Sequence, residues 1–140
     1  MSFNKYLLMS AAAVFGGAFL YAIAKEERRK RSKKLRFEGR DCLSLEDVYE
    51  RFYSSSGLDK EKVLRYWSET GKLLRLEVGK LRPEDRFDKE LAPVRGQELA
   101  DEIEDLSEYL ASTARELRIS ADLSEIKTLD DLIKRFARRE

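Results

Sequence analysis

The sequence predicts an all-α protein: a single transmembrane helix followed by a small bundle of four helices. Three observations lead there. Residues 6–24 carry no charge. Four later segments repeat apolar residues at intervals of three and four, the period of a helix. No stretch alternates apolar and polar residues well enough for a strand.

Tyr6 to Ala24 reads YLLMSAAAVFGGAFLYAIA, nineteen residues without a charge. As a helix this run would reach about 28 Å, close to the ~30 Å hydrocarbon thickness of a bilayer. Only a helix satisfies its own backbone in lipid, so the conformation follows from the solvent. Tyr6 and Tyr21 stand near the two ends, where amphipathic rings favour headgroups. One lysine, Lys5, precedes the run, whereas Arg28, Arg29, Lys30, Arg31, Lys33, Lys34 and Arg36 follow it. That asymmetry places the N-terminus outside and everything downstream in the cytoplasm. The same seven cations are candidates for contact with anionic lipid headgroups. A cleaved signal peptide is the competing expectation, since Ala22-Ile23-Ala24 resembles a cleavage site; the long apolar run and the cations behind it oppose that. Ala12/Gly16, Ala13/Gly17 and Ala18/Ala22 are small residues four apart, a spacing that lets two membrane helices approach closely.

The expected organisation is therefore an anchor over residues 1–24, a basic juxtamembrane linker over 25–41 and a helical body over 42–140. Residues 25–40 hold nine Lys/Arg against three Glu, and residues 41–140 hold eighteen against twenty-four Asp/Glu. The near-neutral total hides a basic collar and an acidic body. An acidic body is a poor ligand for nucleic acid, which requires clustered cations.

Within the body, Ser44 is placed to cap a helix carrying Leu45, Val48, Tyr49 and Phe52, with Asp47 at the capping-box position. Ser54-Ser55-Ser56-Gly57 ends it. Asp59 caps the next, with Val63, Tyr66, Trp67, Thr70 and Leu74 on one stripe. Pro83 disfavours helix before it, so a loop runs from about Arg82 to Gly96. Leu99, Ile103, Leu106, Leu110, Ala114 and Leu117 mark a long third helix. Thr128 caps the last, with Leu129, Leu132, Ile133 and Phe136 apolar and Asp131 three residues past the cap. Trp67, Tyr66, Phe87 and Phe136 are expected in the core. The adjacent carboxylates Glu84/Asp85 and Glu104/Asp105 are expected on solvated surface, because neighbours on a helix point about 100° apart and share a proton poorly.

The vocabulary of catalysis is thin. The chain has no histidine and one cysteine, Cys42. That excludes Ser-His-Asp and Cys-His pairs, His-ligated metals, an intrachain disulfide and a CxxC motif. Neither GxGxxG nor GxxxxGK[ST] occurs, so no nucleotide cradle is recognisable. The expectation is a protein that is not an enzyme, with no catalytic residue, metal or cofactor.

From Val63 to Phe136 the order of parts resembles the acyl carrier protein family. A helix leads into Leu81-Arg82-Pro83-Glu84-Asp85-Arg86-Phe87-Asp88-Lys89-Glu90-Leu91. A second helix with Ile103, Leu106 and Leu110 follows, then Thr128-Leu129-Asp130-Asp131-Leu132-Ile133. Carrier proteins similarly have an (I/L)xPxxxFxxDL loop, a central recognition helix and a TVxDLxxxI-like last helix. The resemblance implies an acyl-carrier-like bundle. In that family an Asp-Ser-Leu triplet opens the second helix, and its serine carries phosphopantetheine. Here Arg95-Gly96-Gln97 falls on the triplet, and no serine lies between Ser68 and Ser107. Gly96 has no hydroxyl to form the phosphodiester, so a carrier-like body without the carrier's cofactor is implied.

The function expected on these grounds is a membrane-tethered, non-enzymatic interaction or scaffold module. Its protein partner would meet an exposed acidic patch of Glu98, Asp101, Glu102, Glu104, Asp105 and Glu108. The alternatives are an atypical acyl or lipid carrier and a small structural subunit of a membrane complex.

Overall fold

The computed structural model describes residues 3–94, 101–120 and 122–139, without the side chains of residues 3–13, 15 and 101. The chain is all-helical. Five α-helices occur among the described residues: α1 (Phe3–Arg36), α2 (Leu45–Phe52), α3 (Lys60–Leu73), α4 (Asp101–Glu116) and α5 (Leu129–Phe136). Two single 3-10 turns, Val78–Lys80 and Leu123–Glu125, lie between them. Two compact units result, Met1–Arg36 and Phe37–Glu140.

The first unit is one unbroken helix of 34 residues, about 51 Å long at 1.5 Å per residue. The cationic stretch from Lys25 continues the helix of the apolar run. Among the described residues no helix is long and apolar enough to cross a membrane; half of the apolar run consists of residues whose side chains lie outside that description. Val14, Phe19, Leu20, Tyr21 and Ile23, which are described, all stand exposed. Of the seven cations expected to face headgroups, Arg28, Lys30, Arg31 and Lys34 are exposed, and Arg29 and Arg36 are half-buried. Lys33 is buried, 8% exposed.

The second unit is built by its caps and stripes. Ser44 accepts a hydrogen bond from Asp47 N at 3.1 Å, and Asp59 accepts one from Lys62 N at 3.0 Å. Thr128 and Asp131 close a full capping box, each side chain accepting from the other's backbone N–H. These oxygens satisfy donors that a helix start leaves unpaired. Val63, Tyr66, Trp67, Thr70 and Leu74 are all buried, as are Leu129, Leu132, Ile133 and Phe136. Trp67 sits at the centre. Phe52 stacks on it at 6.4 Å between centroids, Tyr53 meets its edge at 6.1 Å, and its indole N–H donates to Val78 O at 2.9 Å. Burying an aromatic ring of this kind is worth several kcal/mol only because its polar end finds an acceptor.

The 3-10 turn at Val78–Lys80 is held against the segment before α2. Leu43 N donates to Gly79 O at 2.9 Å, and a Cβ at Gly79 would stand 2.4 Å from Leu43 O. Only glycine permits that approach.

No β-strand is found among the described residues, but the loop after α3 pairs with the start of α5. Phe87 N donates to Lys127 O, Leu129 N to Asp85 O and Asp130 N to Pro83 O, at 2.9 to 3.0 Å. An isolated antiparallel bridge links Arg86 and Thr128. This clasp fixes one end of the loop; its other end leads toward α4.

Two expectations about burial are corrected here. Asp85 is 1% exposed rather than on solvated surface. Arg40 meets it through two nitrogens, and Arg82 N donates to it as well. A buried carboxylate is tolerated when it is paired and hydrogen-bonded. Phe87 is only half-buried; it stands at the rim of the core, where the loop leaves an opening.

Candidate functional site

Helix α4 has two chemically different sides. Leu106, Leu110 and Ala114 recur every four residues and are buried, while Glu104, Asp105 and Glu108 are exposed on the opposite side. The adjacent carboxylates Glu104 and Asp105 thus lie in solvent, unlike Asp85. Of the six acidic residues expected to form a docking patch, Glu104, Asp105 and Glu108 are brought together there. Glu102 is not: it is 8% exposed. It precedes Leu106 by four residues, so the helical period carries it to the inward side. Glu98 lies outside the described residues, as does Gly96 at the position of the carrier serine. Asp101 opens α4, but its side chain is also outside the description.

The inward side of α4 does not close completely on the core. Ile103, Leu106, Ser107 and Leu110 line an open cavity of about 340 Å³ with Phe87, Pro93, Leu123 and Ile126. Each wall has a local cause. The clasp of Phe87 N on Lys127 O holds the loop to one side. Asp122 caps the 3-10 turn at Leu123–Glu125, accepting from Ser124 N, and turns Leu123 and Ile126 toward the same space. Seven of the eight lining residues are apolar, and the Ser107 hydroxyl is the remaining group. An apolar cavity with so few polar groups suits a hydrocarbon chain or an apolar side chain. It offers no acid–base pair, and Ser107 has no histidine anywhere in the chain to activate it.

Ser107, Leu123, Ile126 and Pro93 were not among the expected site residues. Leu123 and Ile126, three apart in a polar stretch, carried the one available signal: such a pair folds back onto apolar surface. Ser107 is indistinguishable in sequence from a solvated helix position. Among the described residues no group of carboxylates and cysteine is arranged to hold a metal ion. Cys42 is exposed, and its thiol donates to Glu77 at 3.3 Å. That contact, followed by slight desolvation and the Glu77 charge, pushes its pKa up and makes the thiolate scarcer.

No known protein family, curated protein or solved structure matches the chain.

Proposed function

We propose that this protein is a membrane-tethered, non-enzymatic helical module, anchored by the first part of α1 and presenting an acyl-carrier-like body on the cytoplasmic side. The observation that carries the reading is the exposure of Val14, Phe19, Leu20, Tyr21 and Ile23 along one helix. Each large aliphatic or aromatic side chain left in water forgoes about 1.5–3 kcal/mol. Lipid supplies the missing environment around the whole circumference, and the exposed Arg28, Lys30, Arg31 and Lys34 supply the topological stop. Gly16 and Gly17 leave open space around them on the same helix, which suits close approach of a second membrane helix.

The carrier-like part of the reading is supported by order. The Pro83–Leu91 loop follows α3, α4 comes next, and the capping box at Thr128 opens α5. Without a serine at Gly96, such a body would act by binding. Glu104, Asp105 and Glu108 are the surface offered to a basic protein partner, and the anchor raises the local concentration of the pair.

The test is alkaline extraction and protease protection of the full-length chain in sealed membranes. The protein should stay in the lipid pellet, with the body reached by protease only after the cytoplasmic face is opened. Release into the alkaline supernatant would end the reading.

The apolar cavity favours a second reading, a non-covalent carrier of an acyl chain or other lipid. Native mass spectrometry of the purified protein should then show a bound lipid that Leu110→Asn removes.

A further inference from the structure

Ser32 is the only hydroxyl-bearing residue between Tyr21 and Ser44, and it stands inside the cationic stretch Arg28-Arg29-Lys30-Arg31-Ser32-Lys33-Lys34. From this placement we infer that Ser32 is a phosphorylation site for a serine kinase that selects cations, and that its phosphate regulates how the collar holds anionic lipid. The inference rests on the anchored reading above and adds a control to it.

Three observations meet at this residue. The first is recognition. Four cations directly precede Ser32 and two follow it, and a kinase cleft lined by carboxylates discriminates its substrates by such a charge pattern. The second is access. Ser32 is half-buried and lies four residues before the end of α1 at Arg36. Terminal turns of a helix open at little cost, so a serine there reaches the extended chain that a kinase cleft takes. The third is composition. Across residues 25–36 every position other than Ser32 is Lys, Arg, Glu or Leu, the strong helix formers. Ser32 is the one place where the run gives up helix propensity, and inside a helix a serine caps nothing.

The step is a phosphoryl transfer. Ser32 Oγ bonds to the γ-phosphorus of a nucleoside triphosphate as the bond to the β,γ-bridging oxygen breaks. The diphosphate leaves, and the hydroxyl proton passes to the catalytic aspartate of the kinase. The product carries about −1.5 to −2 charges, against +6 over residues 25–40, nine Lys/Arg less three Glu. The local effect is larger than that ratio. On a helix the residues three and four positions away are neighbours, and for Ser32 these include Arg28, Arg29 and Arg36. Guanidinium groups pair strongly with phosphate, so the exposed Arg28 gains a partner on its own helix in place of a headgroup. Juxtamembrane clusters of cations are released from anionic lipid in this way.

The test begins with the full-length chain isolated from its own cells and digested after glutamate. Peptide 28–38 has Ser32 as its only hydroxyl, so phosphate found on it by mass spectrometry is on Ser32. A peptide wholly free of phosphate overturns the proposal. The same chain is then phosphorylated in mild detergent with a purified arginine-directed serine kinase and ATP, and returned to vesicles of phosphatidylcholine and phosphatidylserine. Spin-labelled lipids report which headgroup surrounds α1. The preference for phosphatidylserine should fall about threefold or more on phosphorylation. Ser32→Ala, which favours the helix and takes no phosphate, should keep its preference through the same treatment. Equal preference before and after phosphorylation also overturns the proposal. Alkaline extraction of the unmodified chain separates this result from the anchored reading: release of the chain sinks the anchor, whereas retention with an unresponsive collar sinks the switch alone.

Discussion

Arg40 grips Asp85 with two guanidinium nitrogens, each 2.8 Å from a different carboxylate oxygen. The residues are 45 positions apart, and the pair ties the segment before α2 to the loop after α3. The two partners are not equally buried, since the Arg40 side chain is 26% exposed and that of Asp85 is 1% exposed. Arg40→Ala therefore strands a buried carboxylate, and the expected loss is about 3 kcal/mol. Asp85→Asn keeps an acceptor for Arg82 N and leaves an arginine that can reach water; about 2 kcal/mol is expected. Urea unfolding followed by the single tryptophan, Trp67, measures both. An equal or reversed order would show that the pair is not buried as described.

Acid should weaken the second unit through its hydrogen-bonded carboxylates. Burial pushes the Asp131 pKa up, but the N–H groups of Lys127 and Thr128 outweigh it and leave it below the usual value. Glu90 is lowered chiefly by the Arg86 N–H that it accepts. A folded-state pKa below the unfolded one stabilises fully above the ordinary carboxylate range, about pH 4. That contribution is lost as pH falls through the folded values. The melting temperature should hold steady at mild acidity and drop below about pH 4. Asp131→Asn should flatten part of the drop.

Two helices end on residues that pay a conformational penalty. Arg75 and Arg118 both have φ of 54°, in the left-handed region that glycine adopts more readily. Leu76 N donates to Gly71 O and Ile119 N to Ala114 O, the closing bonds of these helix ends. Arg75→Gly should raise stability by roughly 0.5–1 kcal/mol, less than the full left-handed cost because glycine also gains freedom when unfolded. A shift of the urea midpoint to lower concentration would contradict this.

The helices of the second unit were legible because their signals are local. Asp59 caps Lys62 three residues on, and the Val63–Leu74 stripe needs only the helical period. The same is true of Thr128, Asp131 and the four apolar residues of α5. What escaped the sequence depends on distant contacts. Asp85 is adjacent to Glu84 and has the same chemistry, but only Asp85 meets Arg40, and nothing local distinguishes them. Glu102 likewise has the residue type of a solvated position and the helical phase of a core one. The lining of the apolar cavity comes from a loop, α4 and a 3-10 turn that converge only in three dimensions.

Tyr53 should make the second unit sensitive to alkali. It is 2% exposed, and its hydroxyl donates to Asp130 at 3.0 Å. Burial first, and then the Asp130 charge and hydrogen bond, hold the phenol far above its usual pKa. Below about pH 10 the phenol is neutral in both folded and unfolded chains, so its contribution to stability is complete. Above that value the unfolded chain releases the proton and the folded chain does not. Stability then falls steadily as pH rises toward the folded value. Tyrosinate absorbance from Tyr53 should consequently appear together with loss of helix, and not before it. Tyr53→Phe removes this source of alkaline sensitivity but takes one donor from Asp130, whose carboxylate keeps Lys134 at 2.6 Å, at about 1 kcal/mol near neutral pH. The variant should therefore be less stable than the parent at neutrality and should lose less stability with rising pH. Ionisation of Tyr53 in a fully helical protein near its ordinary pKa would show that the ring is reached by water.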